Sequence, residues 1–360
     1  MKLTFTGDIL IYESQDKSCR LSDGKYDYKS IFEQVKPLLD SSDYVVGSFE
    51  TTTAGKNVRY THEPTSFNTP DGILSALKWS GFDLLTTANN HCLDRGFEGH
   101  KRTIEKIKEY GLEYTGTRLS SDEQSFIVKD FDGTHVAFMA YTYGTNSRSN
   151  GCLIPIGKEY LVNLTRPQDI PIYRPLWKRI AKRLLSIVRK KVSNSIQEDC
   201  VSPLEVANGR NKLYEEKMLA TIREAKSKAD IVIMCLHSGG QFNSKIGSYT
   251  NHLFTIMANE GVDAIICNHA HTILPIYYIG DCLVASALGN FSFVPGEGYW
   301  VDGVMAEYSL LLNLDIVDKK IIGYSVDICK CVKNNDGLGI TIPLDKKDCK
   351  YNDILKRLVI

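Results

Sequence analysis

Ala264-Ile265-Ile266-Cys267-Asn268-His269-Ala270-His271 is an apolar run that gives way, within one residue, to side chains able to hold a metal ion. A short apolar run bounded by polar residues has the length and composition of a buried strand, whose side chains point alternately to two faces. The same pattern recurs upstream. Leu3 to Thr6 runs into Gly7-Asp8, Tyr44 to Phe49 into Glu50, Leu84 to Ala88 into Asn89-Asn90-His91, and Ile231 to Leu236 into His237. Every predicted strand ends in a candidate ligand.

Helices are predicted between these runs. One covers Tyr28 to Leu39, a second follows the start signal Thr69-Pro70-Asp71 from Gly72 to Ser80, and a third runs from Gly96 to Tyr110 and stops at Gly111. Proline near a helix start and glycine just past its end are the expected boundary residues. Strand and helix alternation predicts an α/β fold with strands aimed at one edge, where open sheets place their ligands. From about 150 to 210 the pattern breaks, with Pro155, Pro167, Pro171, Pro175 and Pro203, and reads as an insertion or lid. Val304 to Leu314 and Lys320 to Val332 read as a hairpin completing a second sheet. The expected organisation is one domain over 1–332 carrying the 150–210 insertion, with 333–360 as a C-terminal extension packed on it. No internal repeat or low-complexity tract interrupts it.

The chain has 360 residues, 43% of them apolar, enough for a full core. Its 43 Lys plus Arg balance 43 Asp plus Glu, so no global field draws it to nucleic acid or membrane. No run of 18 apolar residues occurs, and the first residues lack signal-peptide features. Ten scattered cysteines without a C-x-x-C pair read as reduced thiols, which favours the cytoplasm. The tripeptides Asn163-Leu164-Thr165 and Asn290-Phe291-Ser292 arise easily by chance and carry little weight against that location.

A two-metal hydrolytic centre needs oxygen and imidazole ligands from several strand ends, a carboxylate that bridges ions roughly 3.5 to 4 Å apart, and an imidazole near the leaving oxygen. Asp8, Glu50, Asn90, His237, His269 and His271 supply that ligand set, and His91 is left as a candidate acid. His269 and His271, two apart, share a face if the backbone is extended. Singly, each residue has a plainer reading: Asp8 as a cap, Asn89-Asn90 as a turn, His237 as a satisfied core histidine. Together they would have to converge by accident.

The ordered set Thr6-Gly7-Asp8, Gly47-Ser48-Phe49-Glu50, Ala88-Asn89-Asn90-His91-Cys92-Leu93-Asp94-Arg95-Gly96, Leu236-His237-Ser238-Gly239-Gly240, Asn268-His269-Ala270-His271 and Leu288-Gly289-Asn290-Phe291 resembles the CapA/PgsA family of bacterial capsule and poly-γ-glutamate synthesis proteins. Tyr141-Thr142-Tyr143-Gly144-Thr145-Asn146 resembles that family's central motif. The family is in turn similar to calcineurin-like metallophosphoesterases. The resemblance implies a four-layer αββα sandwich and divalent metal ions, two where both positions fill, of Mn, Fe or Zn. Asp8 and His271 would hold one ion, Asn90, His237 and His269 the other, and Glu50 would bridge them. His91 would be the general acid, and Asp94 would either orient it or cap the following helix. Asn290 and Asn146 would meet substrate, although Asn290 also reads as a turn residue after a buried strand.

The chain departs from that pattern in three places. Leu10 stands where a histidine ligand belongs, Asn268 and Ala270 replace a histidine and a proline, and Ser238 replaces an aromatic. The expected function is metal-dependent hydrolysis of a phosphoester or related bond in an anionic small molecule or polymer. The alternative is a non-catalytic accessory protein, or a membrane-surface polymer-binding protein, in capsule assembly. The basic amphipathic run 174–191, with Arg174, Lys178, Arg179, Lys182 and Arg183, reads as a solvated helix, a peripheral membrane contact or a cationic lid. His62-Glu63 reads as a surface loop, and His100, His135 and His252 as ordinary residues. No nucleic acid partner is expected, and the oligomeric state is not legible in the sequence.

Overall fold

The computed structural model describes residues 1–62, 66–170, 198–201, 209–297 and 303–359. The strands are β1 (Lys2–Ile9), β2 (Tyr44–Phe49), β3 (Leu84–Thr86), β4 (Glu113–Thr115), β5 (Phe126–Phe131), β6 (Thr134–Thr142), β7 (Ile231–His237), β8 (Ala264–Asn268), β9 (Ile273–Ile279), β10 (Cys282–Leu288), β11 (Asn290–Ser292), β12 (Tyr308–Val317), β13 (Lys320–Lys333) and β14 (Gly339–Pro343). They form two sheets. One has the order β14-β13-β12-β1-β2-β3-β4 with β11 also paired to β1, the other β5-β6-β7-β8-β10-β9. β1 to β4 are mutually parallel, as are β6, β7, β8 and β10.

Period-two alternation builds the layers, because each central strand is apolar on both faces. Val46, Ile233 and Ile266 point into the core between the sheets with Phe5, Phe138 and Leu310. Their chain neighbours point outward. Val45 packs under Phe32, Leu74 and Ile107, while Met234 and Ile265 pack under Met218, Ile222 and Leu253. The covering helices are Gly72–Trp79 and Gly96–Glu109 on one sheet, and Lys212–Lys226 and Ser248–Asn259 on the other. The result is the expected four-layer αββα sandwich.

Two local expectations are corrected. The helix predicted over 28–39 is two short turns, Lys29–Phe32 and Lys36–Leu39. Pro37 has no N–H to bond back to residue 33 and its ring crowds that carbonyl, which favours a break over one continuous helix. The C-terminal hairpin β12–β13 joins the sheet that contains β1, with Lys2 to Thr6 paired antiparallel to Asp315 to Leu311. The tail after 332 adds strand β14 to the same sheet, and its helix Tyr351–Arg357 buries Ile354 in the core between the sheets.

The segment from 150 onward is woven into the body as far as residue 170. Leu161, Val162 and Leu164 are buried against Cys92 and Leu93, and Val162 and Leu164 bridge to Thr117 and Thr142. Residues 171–197 and 202–208, including the basic run 174–191, lie outside the described residues, as does Glu63. Among the described residues no helix is long and apolar enough to cross a membrane. All ten cysteines are free thiols. Asn163 and Asn290 are buried, and the Asn163 amide donates to the Ser125 and Ala140 carbonyls.

Candidate metal centre

The two sheets meet where β1, β2, β7 and β8 end. β10 belongs to one sheet and β11 to the other, and Gly289 between them carries the chain across. It does so at φ +80°, and a Cβ there would lie 2.4 Å from the Tyr308 carbonyl oxygen. Gly7 packs against it so closely that a Cβ would sit 2.1 Å from the Gly289 oxygen. This contact lets Asp8 N–H donate to the Gly289 carbonyl at 2.9 Å and aims its carboxylate between the sheets.

Asp8 lies inside β1, at a register break, rather than beyond the strand. Its Oδ1 accepts from Ser48 Oγ at 2.7 Å and its Oδ2 from the His269 backbone N–H at 2.9 Å. The same two oxygens face His237 Nδ1 at 3.7 Å and His271 Nδ1 at 3.6 Å. Glu50, immediately after β2, is fully buried. Its Oε1 lies 3.4 Å from His237 Nε2, 3.8 Å from His91 Nε2 and 3.9 Å from His271 Nε2. His237 Nε2–H donates to Asn90 Oδ1 at 2.8 Å. His269 stands in the middle, its ring centroid 4.8 Å from those of His237 and Tyr143 and 5.8 Å from that of His271.

The structure therefore brings together all six expected ligand residues and His91. The tightest group is Glu50, His269 and His271, with one ligand atom from each within 4.8 Å of the others, and it draws on both ion positions implied by the resemblance. His269 and His271 do not converge through extended backbone. Their φ angles are +96° and +54°, a region non-glycine residues rarely occupy and one that clusters at functional sites.

The donor set fits a cation. Both Glu50 oxygens, both His269 ring nitrogens and His237 Nδ1 are buried without a hydrogen-bond partner among the described residues. An orphaned buried carboxylate costs several kcal/mol on the order of magnitude unless a positive charge faces it. Burial, then the charge of Glu50, pushes Asp8 up to about 7, and burial likewise raises Glu50. Burial lowers His237 to about 4 and also lowers His269 and His271. Neutral imidazoles are the form that binds metal, and a bound cation would offset the carboxylates' desolvation.

Around this cage the second layer of contacts is specific. Asp94 Oδ2 accepts from His91 Nδ1–H at 2.7 Å and from the Phe67 backbone N–H at 2.7 Å. Asp94 thus orients His91, and it does not cap the helix, whose N-cap is Arg95. Burial disfavours the charged His91 ring, but Asp94, Glu50 and Asp8 outweigh it and its pKa is raised. Asn290 donates its amide to the His271 and Ala306 carbonyls, which leaves its Oδ1 to accept from His271 Nδ1–H at 2.9 Å. That contact fixes the tautomer with Nε2 free to ligate. Asn290 is fully buried against His271, and Asn146 heads the short helix Ser147–Asn150 at φ +52°, its carbonyl accepting from the Ser149 and Asn150 N–H groups. His100 is buried, and His135 and His252 pair with Asp230 and Glu215 away from the cage.

Sequence reasoning missed Ser48, Tyr143 and the aromatic side of the site. Ser48 and Tyr143 lie inside quoted motifs, two residues before Glu50 and just after β6, so their positions were the available signal. Leu10 is buried among Tyr12, Phe67, Phe242 and Phe293, so that side of the cage is apolar.

The family described as "Bacterial capsule synthesis protein PGA_cap" matches residues 2–294. The chain is 24% identical over 316 residues to the "PGA biosynthesis protein CapA" of Bacillus subtilis strain 168, covering 87% of this chain and 68% of that protein. It is 25% identical over 329 residues to the "Capsule biosynthesis protein CapA" of Bacillus anthracis, covering 89% and 67%. Among solved structures, the 5'-nucleotidase from Candida albicans SC5314 is similar with a TM-score of 0.42 and 12% identity, covering 99% of this chain and 56% of that one.

Proposed function

Since the chain belongs to the family of bacterial capsule synthesis proteins described as PGA_cap, we propose that its buried histidine and carboxylate cage is the centre of a metal-dependent hydrolase in capsule or poly-γ-glutamate synthesis, acting on a phosphoester or related bond. The observation that carries this reading is Glu50, a fully buried carboxylate amid three imidazoles whose oxygens have no hydrogen-bond partner among the described residues. Glu50, His269 and His271 would form the nucleus of ion binding, with Asp8, Asn90 and His237 beside them. Their mixed nitrogen and oxygen donors suit Mn, Fe or Zn. A bound divalent ion supplies polarisation of the phosphoryl group and a water of lowered pKa.

The chain's own residues do the rest. His91 Nε2 faces the cage while Asp94 holds its Nδ1–H and favours the protonated ring, so the Nε2–H of that ring is positioned to give its proton to a leaving oxygen. Asn290 keeps His271 in one tautomer. Burial of the cage excludes bulk water and strengthens each of these contacts.

The test is Mn-dependent hydrolysis of an aryl phosphate by the wild type, His91→Ala and His237→Ala, with bound metal measured alongside. The expected result is a loss on the order of 10²- to 10⁴-fold for His91→Ala with metal retained, and loss of metal with activity for His237→Ala. Equal rates in all three proteins would overturn the reading. Leu10 favours a second reading, an accessory protein of capsule assembly with a structural ion, because it leaves one side of the cage apolar. That reading expects metal binding and thermal stabilisation without turnover.

A further inference from the structure

One side chain in contact with the cage has no part in that mechanism. No ligand residue of the cage, nor His91, is more than 8% exposed, so a substrate reaches them only past partly exposed neighbours. Tyr143 is such a neighbour. It is half-buried, and its ring centroid lies 4.8 Å from that of His269 with the planes at 47°. The fold fixes where that ring stands. β6, β7 and β8 end in register at Thr142, His237 and Asn268, so Tyr143 and His269, each the next residue along, leave the same sheet edge. The Tyr143 N–H donates to the His237 carbonyl at 3.1 Å, and the Tyr143 carbonyl accepts from Arg166 Nη1 at 3.4 Å. Arg166 is itself buried and paired with Asp169 at 2.6 Å. The backbone of Tyr143 is thus held on both sides.

Packing accounts for the ring but not for the hydroxyl. Four other tyrosines use theirs as donors: Tyr28 to Asp16, Tyr44 to Glu113, Tyr114 to Glu123 and Tyr249 to Thr165. That is the usual arrangement for a tyrosine drawn out of water. Tyr143 Oη has no hydrogen-bond partner among the described residues, although it lies within electrostatic reach of Glu50 and Arg166. A phenol O–H is a donor at neutral pH, and its bond to an anionic oxygen is among the stronger ones a neutral side chain can make.

We propose that Tyr143 is a substrate-binding residue of the cage, its hydroxyl donating to a non-bridging oxygen of a tetrahedral oxyanion such as a phosphoryl group. The inference rests on the reading of the cage as a centre that handles phosphoesters. A role limited to packing against His269 needs the ring alone, which phenylalanine supplies equally well.

The test titrates inorganic phosphate by calorimetry into Mn-reconstituted wild type and Tyr143→Phe, with bound Mn and aryl phosphate turnover measured on the same samples. The wild type is expected to bind phosphate and Tyr143→Phe to bind it about tenfold more weakly, the scale of one hydrogen bond to a charged group, with Mn content unchanged. Equal phosphate affinities, a loss of affinity that comes with an equal loss of Mn, or a wild type that binds no phosphate would each overturn the inference. Its failure is distinct from that of the hydrolase reading. Phosphate binding that Tyr143→Phe weakens, in a wild type without turnover, leaves the inference standing and removes the hydrolase. Turnover with equal phosphate affinities does the reverse.

Discussion

Asp94 and Asn290 are the side chains where a small change separates the cage from its chemistry. Asp94→Asn keeps the size of the group but weakens the acceptor for His91 Nδ1–H. The expected outcome is a fall in kcat of roughly a hundredfold with bound metal unchanged, checked by turnover and metal content on the same sample. Asn290→Ala strips the hydrogen bond that orients His271, and metal affinity is expected to fall by about 10- to 100-fold, read by titration with Mn. Outside the site, Asp16 is buried with Oδ2 unpartnered among the described residues, and burial raises its pKa from 3.8 to about 7. A carboxyl raised in the folded state stabilises most when protonated, so its contribution is full below pH 3.8 and is lost as pH rises toward 7. Stability should therefore fall by up to ~1.4 kcal/mol per pH unit from this group in that window. Asp16→Asn should flatten that part of the profile in denaturant titrations, since its amide oxygen can still accept from Tyr28 Oη.

At the scale of elements, the ligand-bearing strands were legible because each is short, apolar on both faces and closed by a polar residue. β1, β2, β7 and β8 carry Asp8, Glu50, His237 and the His269/His271 turn where the sequence pattern pointed. What the pattern could not carry was backbone direction. The H-x-H pair reads as an extended strand end, yet both histidines take positive φ, a choice made by the Phe242 to Ala270 and His269 to Asp8 hydrogen bonds that form only in the folded sheets. The split of residues 28–39 was recoverable from Pro37, but the placement of β12–β13 beside β1 was not, because pairing partners far apart in sequence leave no local signal. The apolar side of the cage was hidden for the same reason, since Leu10, Tyr12, Phe67, Phe242 and Phe293 lie far apart in sequence. The Gly7 and Gly289 crossing is the element-level feature most exposed to test. Gly7→Ala places a Cβ against backbone oxygen, which cannot rotate away. It should destabilise by about 2 kcal/mol or more, measured by urea unfolding, and should weaken metal binding through Asp8.

The whole molecule places two sheets face to face so that strands from both end on one spot, and neither sheet alone owns the cage. Metal binding should consequently couple to global stability. Mn at about 100 times its dissociation constant should stabilise the fold by ~2.7 kcal/mol, seen as a raised Tm that a chelator reverses. On the proposed function, the buried carboxylate of Glu50 and its imidazoles exist to hold a cation. The most direct measurement is the metal content of Mn-reconstituted wild type and Glu50→Gln after gel filtration, with circular dichroism confirming that both are folded. Stoichiometric metal in the wild type, with affinity at least roughly tenfold lower in Glu50→Gln, is the predicted result. A folded wild type that retains no metal, or a Glu50→Gln protein that retains as much, would contradict the account.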